Sequence, residues 1–209
     1  MQMLWYETGD VSEIHAMTRE RILCFDVETT GLNADRDEIL QLGILDGAGA
    51  ILFSDYVRPM RHRSWPAAER VHGIKPDMVR AKRPISELVS ELDGIFSQAT
   101  LLVGYNLAFD IAFLKSVGVA MPTCLNFDVM REFAPVAGRR RFRSSSYTWT
   151  RLADCARHYG VRLRPHDALA DARATLACFW RMLEDDGSVY ASPGSTPYLE
   201  VVRRGRADA

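Results

Sequence analysis

The sequence predicts an α/β fold on a mixed sheet, antiparallel in its first part and parallel in its second. Three observations carry this expectation. Early in the chain, strand-like runs follow one another, two of them joined by Asp46-Gly47-Ala48-Gly49, a hairpin signal. From Pro84 onward, segments with a helical period alternate with short apolar runs, the order expected of parallel strands with helical crossovers. The chain has 209 residues, 47% apolar and 25% charged, which suits a single folded domain with a sizeable core.

In chain order, residues 1–20 show no clear period. They read as an added N-terminal segment, a helix being one option, with Leu4, Trp5 and Ile14 as docking residues. Arg21–Val27 (RILCFDV) is a short β-rich run; Ile39–Leu45 and Ala50–Val57 are the two arms of the hairpin. After Pro84, the positions Ile85, Leu88, Val89, Leu92, Ile95 and Phe96 recur at helical spacing, predicting an amphipathic helix over 84–97. Thr100–Tyr105 is an unbroken apolar strand, Asn106 caps a helix running to about Val117, and Leu125–Asp128 ends the fifth strand. Residues 135–148 hold Pro, Gly, clustered Arg and three serines, and read as a mobile loop. Helices follow over about 149–159 and 168–184, and the Gly- and Pro-rich end reads as a tail. The expected division is an extension over 1–20, a catalytic domain over 21–184 and a tail over 185–209.

Composition narrows the function. The net charge of -1 points neither toward nor away from nucleic acid, but arginine dominates: among 26 basic residues only Lys75, Lys82 and Lys115 are lysine. Arginines cluster at 139–143 and 203–206. The cysteines Cys24, Cys124, Cys155 and Cys178 are widely spaced without a CxxC pair, which reads as buried thiols in a reducing compartment rather than a zinc site or disulfide framework. No apolar run approaches the ~20 residues of a membrane span, and the start lacks a basic-then-apolar pattern. A cytoplasmic protein without a membrane partner is expected; the oligomeric state is open.

The chemistry lies in the acids. Asp26 and Glu28 stand two apart at a strand end, so both carboxylates project from one face. Two neighbouring anions repel each other; either water solvates them at the strand end or a divalent cation neutralises them. Thr29-Thr30-Gly31-Leu32 follows, a tight turn whose N–H groups and small hydroxyls suit a phosphate or a nucleotide end, or form an ordinary strand exit. Asp110 heads a helix whose Phe113, Leu114 and Val117 fall at i+3, i+4 and i+7, so it leads the core-facing stripe; it also suits the helix dipole. In the last long helix, Leu169, Ala172, Leu176, Phe179, Trp180 and Leu183 form the apolar stripe. Asp171 falls about 125° from its centre, bordering a groove, while Asp167 reads as solvent-facing or capping. His166 alone reads as structural or solvated, and gains a catalytic reading only beside the other acids.

Together, FDVETTGL (25–32), YNLAFD (105–110) and HDALAD (166–171) resemble, in order and spacing, the motifs of the DEDDh (DnaQ-like) family of 3′–5′ exonucleases, to which epsilon-type proofreading subunits and RNase T belong. VHGI (71–74) adds a further match. The resemblance covers about residues 21–184 and implies an RNase H-like exonuclease fold, a mixed five-stranded sheet flanked by helices, with two divalent metal ions, Mg2+ or Mn2+. Carried over to this chain, Asp26 would bridge both metals, Glu28 and Asp171 would complete one site, and Asp110 would hold the other. His166 matches the general base. Leu32 matches a wedge beside the terminal base, Phe109 a packing residue at the pocket, and His72 a contact to the terminal nucleotide; Thr29 and Tyr105 flank the same pocket. Tyr105 stands where the family usually has His, Gln41 where it usually has Glu, and Ala67 and Ala68 where epsilon-type members carry a glutamate. The expected activity is hydrolysis of the terminal phosphodiester of DNA at single-stranded 3′ ends, releasing nucleoside 5′-monophosphates, with a DNA polymerase as a possible associate. The alternatives are an exoribonuclease or oligoribonuclease, a polymerase-associated nucleic-acid-binding module, and, remotely, a phosphatase acting on small nucleotides.

Overall fold

The computed structural model describes residues 4–5, 11–140 and 147–189. Arg141–Arg143 of the first arginine cluster, the serines at 144–146 and the segment from 190 onward, with the second arginine cluster, lie outside the described residues. The elements run β1 (Leu4–Trp5), α1 (Val11–Ala16), β2 (Ile22–Thr29), β3 (Ile39–Asp46), β4 (Ile51–Tyr56), α2 (Pro66–His72), α3 (Pro76–Val79), α4 (Val89–Phe96), β5 (Leu101–Gly104), α5 (Leu107–Ser116), β6 (Leu125–Asp128), α6 (Val129–Ala137), α7 (Leu152–His158) and α8 (Ala168–Val189).

The sheet order is β1-β6-β5-β2-β3-β4. β2, β3 and β4 pair antiparallel, whereas β5 pairs parallel to β2 and to β6, so the expected five-strand sheet is present as β2 to β6 with the expected change of direction. The N-terminal segment adds a two-residue parallel strand, with Leu4 opposite Leu125 and Trp5 opposite Asn126.

Both faces of the sheet are covered at its centre, which explains why β5 and the first half of β2, Ile22–Phe25, read as apolar runs. Alternation along β2 sends Leu23, Phe25 and Val27 into one cluster with Leu88, Leu92 and Phe96 of the α4 region and Ile111 of α5. Ile22 and Cys24 face the other way, against Phe133 of α6, Cys155 of α7 and Phe179 of α8. Ile14 of α1, fully buried, docks into this second cluster. A third, small cluster of Leu40, Trp65, Ile74 and Val79 closes the hairpin side. It follows from a bulge: Glu28 pairs with Gln41 but Thr29 with Ile39, so Leu40 is the extra residue and turns toward Trp65.

Three expectations needed revision. The predicted helix over 84–97 is a 3-10 turn, Ile85–Glu87, followed by α4, because Leu88 N–H bonds the Ile85 carbonyl in the tighter i,i+3 pattern. The loop expected from 135 begins only after Gly138, whose φ of 67° ends α6. Asn106 occupies the N-cap of α5, but its side chain makes no cap; the Asp128 carboxylate from β6 accepts both Asn106 N–H (3.0 Å) and Leu107 N–H (3.1 Å). The same carboxylate accepts Met130 N–H at 3.0 Å and so caps α6 as well.

Candidate active site

The end of β2, the first turn of α5 and the start of α8 meet where the sheet changes from antiparallel to parallel pairing. Asp26 and Glu28 share the parity of Ile22 and Cys24, so β2 carries them on the α8 side. Asp110 arrives from α5 and is 2% exposed; its Oδ1 accepts Val27 N–H at 3.2 Å, which places the carboxylate against the backbone between the two β2 acids. Asp171 is buried as well, its Oδ2 accepting the His166 N–H at 3.0 Å.

The position of Asp171 corrects the sequence expectation. It lies within the buried face of α8, along with Ala168, Ala172, Thr175, Cys178, Phe179 and Met182, not at its border. The cause is close backbone packing. A Cβ on Gly43, the cross-strand partner of Asp26, would stand 2.7 Å from Leu169 N and Cα, so the first turn of α8 rests directly on β3. One turn further on, Cys24 Sγ donates to the Ala172 carbonyl at 3.3 Å.

His166 is exposed and adopts φ 69°, a left-handed conformation that swings the chain into α8. Ligand atoms of its ring, Glu28 and Asp171 all lie within 4.8 Å of one another. Asp167 is the cap foreseen as one of its two options: its Oδ1 accepts Ala170 N–H at 3.0 Å.

Charge is concentrated here without compensation. Burial is the main cause that raises the proton affinity of Asp26, with Asp110, Glu28, Asp171 and Asp167 adding repulsion. Glu28 is pushed up to about 8 by burial and then by Asp171 and Asp167. Burial raises Asp110 and Asp171 too, partly opposed by the Val27 and His166 N–H groups. None of the ion pairs among the described residues involves these four acids. Asp110 Oδ2 and Asp171 Oδ1 are buried without a hydrogen-bond partner. Buried carboxylate oxygens left unpaired in a ring of anions fit hard divalent cations, which take oxygen ligands and remove the repulsion.

The turn after β2 is held together by its own side chains, as an ordinary strand exit would be. Thr29 Oγ1 donates to the Gly31 carbonyl at 2.5 Å, while Thr30 Oγ1 donates to Asp37 (3.3 Å) and accepts Glu38 N–H (2.9 Å). Both hydroxyls are therefore spent on the turn itself. Leu32 at its tip is 88% exposed. His72 ties α2 to the end of β2: its Nδ1 accepts Ile74 N–H at 3.0 Å, so Nε2 carries the proton and donates to the Thr29 carbonyl at 3.2 Å. Burial lowers its proton affinity. Phe109 is half-buried, 4.8 Å from the Phe113 ring. The Tyr105 hydroxyl donates to the Thr150 carbonyl at 2.9 Å and packs toward the α7 and α8 side, so it braces the segment before α7. Of the arginine cluster, Arg139 and Arg140 are described and exposed, the Arg140 guanidinium lying 5.5 Å from the Tyr147 ring centre. Nearby, a cleft of about 620 Å³ is lined by Asn106, Asp128, Met130, Arg131, Tyr147 and Trp149 among others.

Two polar roles have no counterpart in the sequence reading: Asp128 as the double cap, and the bond by which Gln41 and Asp167 join β3 to α8. Asp128 ends a strand directly before a helix, a usable N-cap signal, but its bond to α5 spans 21 residues and leaves no local trace.

The profile of the family described as Exonuclease matches residues 23–179. The DNA polymerase III subunit epsilon of Treponema pallidum is 31% identical over 170 residues, covering 76% of this chain and 74% of that protein. The PolC-type DNA polymerase III of Thermotoga maritima is 30% identical over 165 residues, which is 76% of this chain but 12% of the polymerase; the chain therefore spans about an eighth of that relative's length. Among solved structures, apo Exonuclease I has a TM-score of 0.65 at 19% identity, covering 81% of this chain and 43% of its own. E. coli Exonuclease I in complex with a dA16 oligonucleotide has a TM-score of 0.63 at 20% identity, covering 81% of this chain and 42% of that one. The shared architecture is the RNase H-like exonuclease fold.

Proposed function

We propose, for a chain that belongs to the exonuclease family, that it hydrolyses the terminal phosphodiester of DNA from the 3′ end and releases nucleoside 5′-monophosphates. The observation that carries this reading is the convergence of Asp26, Glu28, Asp110 and Asp171 with two buried carboxylate oxygens unpartnered and His166 at the rim. Those four carboxylates would hold two divalent ions, Mg2+ or Mn2+. When bound, the ions supply charge stabilisation to the phosphoryl oxygens and align an in-line displacement.

The chain's own residues do the rest. His166 takes the proton of the attacking water, its ring nitrogen standing within 4.8 Å of carboxylate oxygens of Glu28 and Asp171. Its exposure lets that proton leave to solvent between turnovers. The Asp171 carboxylate holds the His166 backbone in its left-handed turn, so ring and metal ligand are set by one hydrogen bond. Leu32, exposed at the tip of its turn, covers the apolar face of the terminal base. Phe109 backs the same pocket, and Thr29 and His72 form its floor through their shared hydrogen bond. Tyr105 acts through the Thr150 segment that it braces. The cleft with Tyr147 and Trp149 offers stacking surface to the upstream strand, which favours an unpaired 3′ end. The catalytic unit is assigned to 21–184, with α1 docked on it through Ile14. The names of two relatives, a DNA polymerase III subunit epsilon and a PolC-type DNA polymerase III, support work on DNA beside a polymerase.

The test is digestion of end-labelled single strands, DNA and RNA in parallel, with Mg2+ or Mn2+. Ladder shortening from the 3′ end with mononucleotide product is expected on DNA. Degradation from the 5′ end or cutting of a circular strand overturns the exonuclease reading, and faster digestion of RNA moves the substrate to ribonucleotides.

A further inference from the structure

Between β2, which carries Asp26 and Glu28, and α8, which carries Asp171 and follows His166, stands a buried polar contact that the proposed chemistry does not use. Gln41 is 5% exposed and sits directly across from Glu28 in the β2–β3 ladder. Its Nε2 donates to Asp167 Oδ2 at 2.9 Å, and its Oε1 accepts Ala168 N–H at 3.2 Å. The other oxygen of Asp167 accepts Ala170 N–H at 3.0 Å. Two of the N–H groups that every helix start leaves unpaired are thus satisfied by one connected pair of side chains. The residues held in this way lie between His166 and Asp171, whose own bond, His166 N–H to Asp171 Oδ2, spans the same turn.

We propose that Gln41 and Asp167 form one positioning pair that fixes the first turn of α8 over Glu28 and thereby sets His166 and Asp171 together. The polarity of the pair is dictated by its surroundings. A carboxyl group at position 41 would set two acids face to face at a position now occupied by an N–H donor and would add a further acid beside Glu28. An amide there gives Asp167 a donor, accepts the helix N–H with its other end and brings no charge. Neither residue touches the reacting atoms; they act through α8. The inference rests on the proposed hydrolytic role of His166 and Asp171.

The pair can be inverted. In the double variant Gln41→Glu with Asp167→Asn the total charge is unchanged. The amide introduced at position 167 would donate to the carboxylate introduced at position 41, and both backbone N–H groups keep a carbonyl or carboxylate oxygen. The experiment compares wild type, Gln41→Glu, Asp167→Asn and the double variant. It reads Mn2+ affinity by calorimetry, kcat and KM on a single-stranded DNA oligonucleotide, melting temperature, and amide exchange at Ala168 and Ala170. Gln41→Glu is expected to lose about 10–100-fold in Mn2+ affinity and in kcat, the usual scale for outer partners of metal ligands, with KM little changed. An added negative charge acting alone would strengthen cation binding, so weakened binding reports lost geometry. Amide exchange at Ala168 should quicken. Asp167→Asn, with one oxygen for two donors, should lose less, and the double variant should recover most of the loss. Wild-type values in Gln41→Glu, or a double variant no better than Gln41→Glu, overturn the proposal. If the wild type digests no DNA, the hydrolytic reading fails instead, and the exchange rates at Ala168 and Ala170 still report whether the pair holds the helix.

Discussion

Gly43→Ala tests whether backbone contact between β3 and α8 builds the site. A methyl at this position would stand 2.7 Å from Leu169 N and Cα and 2.8 Å from the Ala168 carbonyl carbon. Carbon contacts are comfortable at about 3.5–4.0 Å, so the overlap is about 1 Å against backbone that has no rotamer by which to escape. Either α8 withdraws from the sheet or β3 does. Overpacking of this kind costs about 1–3 kcal/mol. The displaced turn carries Asp171 and adjoins His166, and a shift of about 1 Å in catalytic groups costs on the order of 10² in rate. Urea unfolding and turnover on a labelled single strand should therefore fall together. Gly94→Ala in α4 is the control, since nothing lies within 4 Å of its added Cβ. A helical alanine there should gain about 0.5–1 kcal/mol without touching turnover. Wild-type stability and turnover in Gly43→Ala would show that α8 does not rest on β3 as described.

Asp26→Ala and Asp171→Asn should each abolish hydrolysis while the metal-free protein melts no lower than wild type, because each removes a ligand and relieves repulsion; turnover near wild type in either would refute the metal assignment. The pH dependence of metal-free stability follows from Glu28, raised to about 8, and from Asp26, Asp110 and Asp171, also raised. Acids with a raised folded-state pKa contribute stability that is complete below their unfolded value near 4 and is lost as pH climbs through the folded value. The melting temperature in EDTA should accordingly fall from pH 5 to 8.5, and saturating Mg2+ should flatten that slope; a metal-free melting temperature that rises over this window contradicts the reading. Above pH 5 the scan also avoids Glu38, whose lowered pKa acts in the opposite sense at more acid pH. His166→Ala should lose on the order of 10²–10⁴ in kcat together with the histidine limb of the pH–rate profile, with Mn2+ affinity unchanged. A fall in Mn2+ affinity instead would make the ring a ligand beside Glu28 and Asp171, which its position also permits.

Much of the fold was legible because the sheet is buried on both faces. The runs ILCF and LLVG are apolar without interruption, the hairpin arms are mostly apolar with Gln41, Ser54 and Asp55 among them, and β2 to β6 fall within about two residues of where the sequence puts them. The helices that the sequence hides are short and carry prolines that read as breaks. Pro66 and Pro76 are instead the first residues of α2 and α3, where the missing N–H costs nothing, and Pro135 sits in the last turn of α6. β1 has two residues and no period to read.

The site divides along a different line. Asp26 and Glu28 are visible because their spacing matches the pleat, and Asp110 because it leads an apolar stripe. A helix face located from large apolar residues alone puts Asp171 at a groove. Where a helix packs against glycine through its own backbone, the contact face is marked by what is small, namely Ala168, Ala172 and Gly43, and such residues carry little weight in a hydrophobic period. Polar side chains that serve that face then count as off-stripe. Thr175 is 1% exposed and Asp171 is buried, and both sit on the line that joins Ala168 to Cys178. Gln41 and Asp167 are still less visible, since their partner atoms are 126 residues apart and neither shows a periodic signature. An acid that falls off the apolar stripe of a long helix, next to alanines and opposite a glycine in a neighbouring strand, is therefore better placed by the small residues than by the large ones.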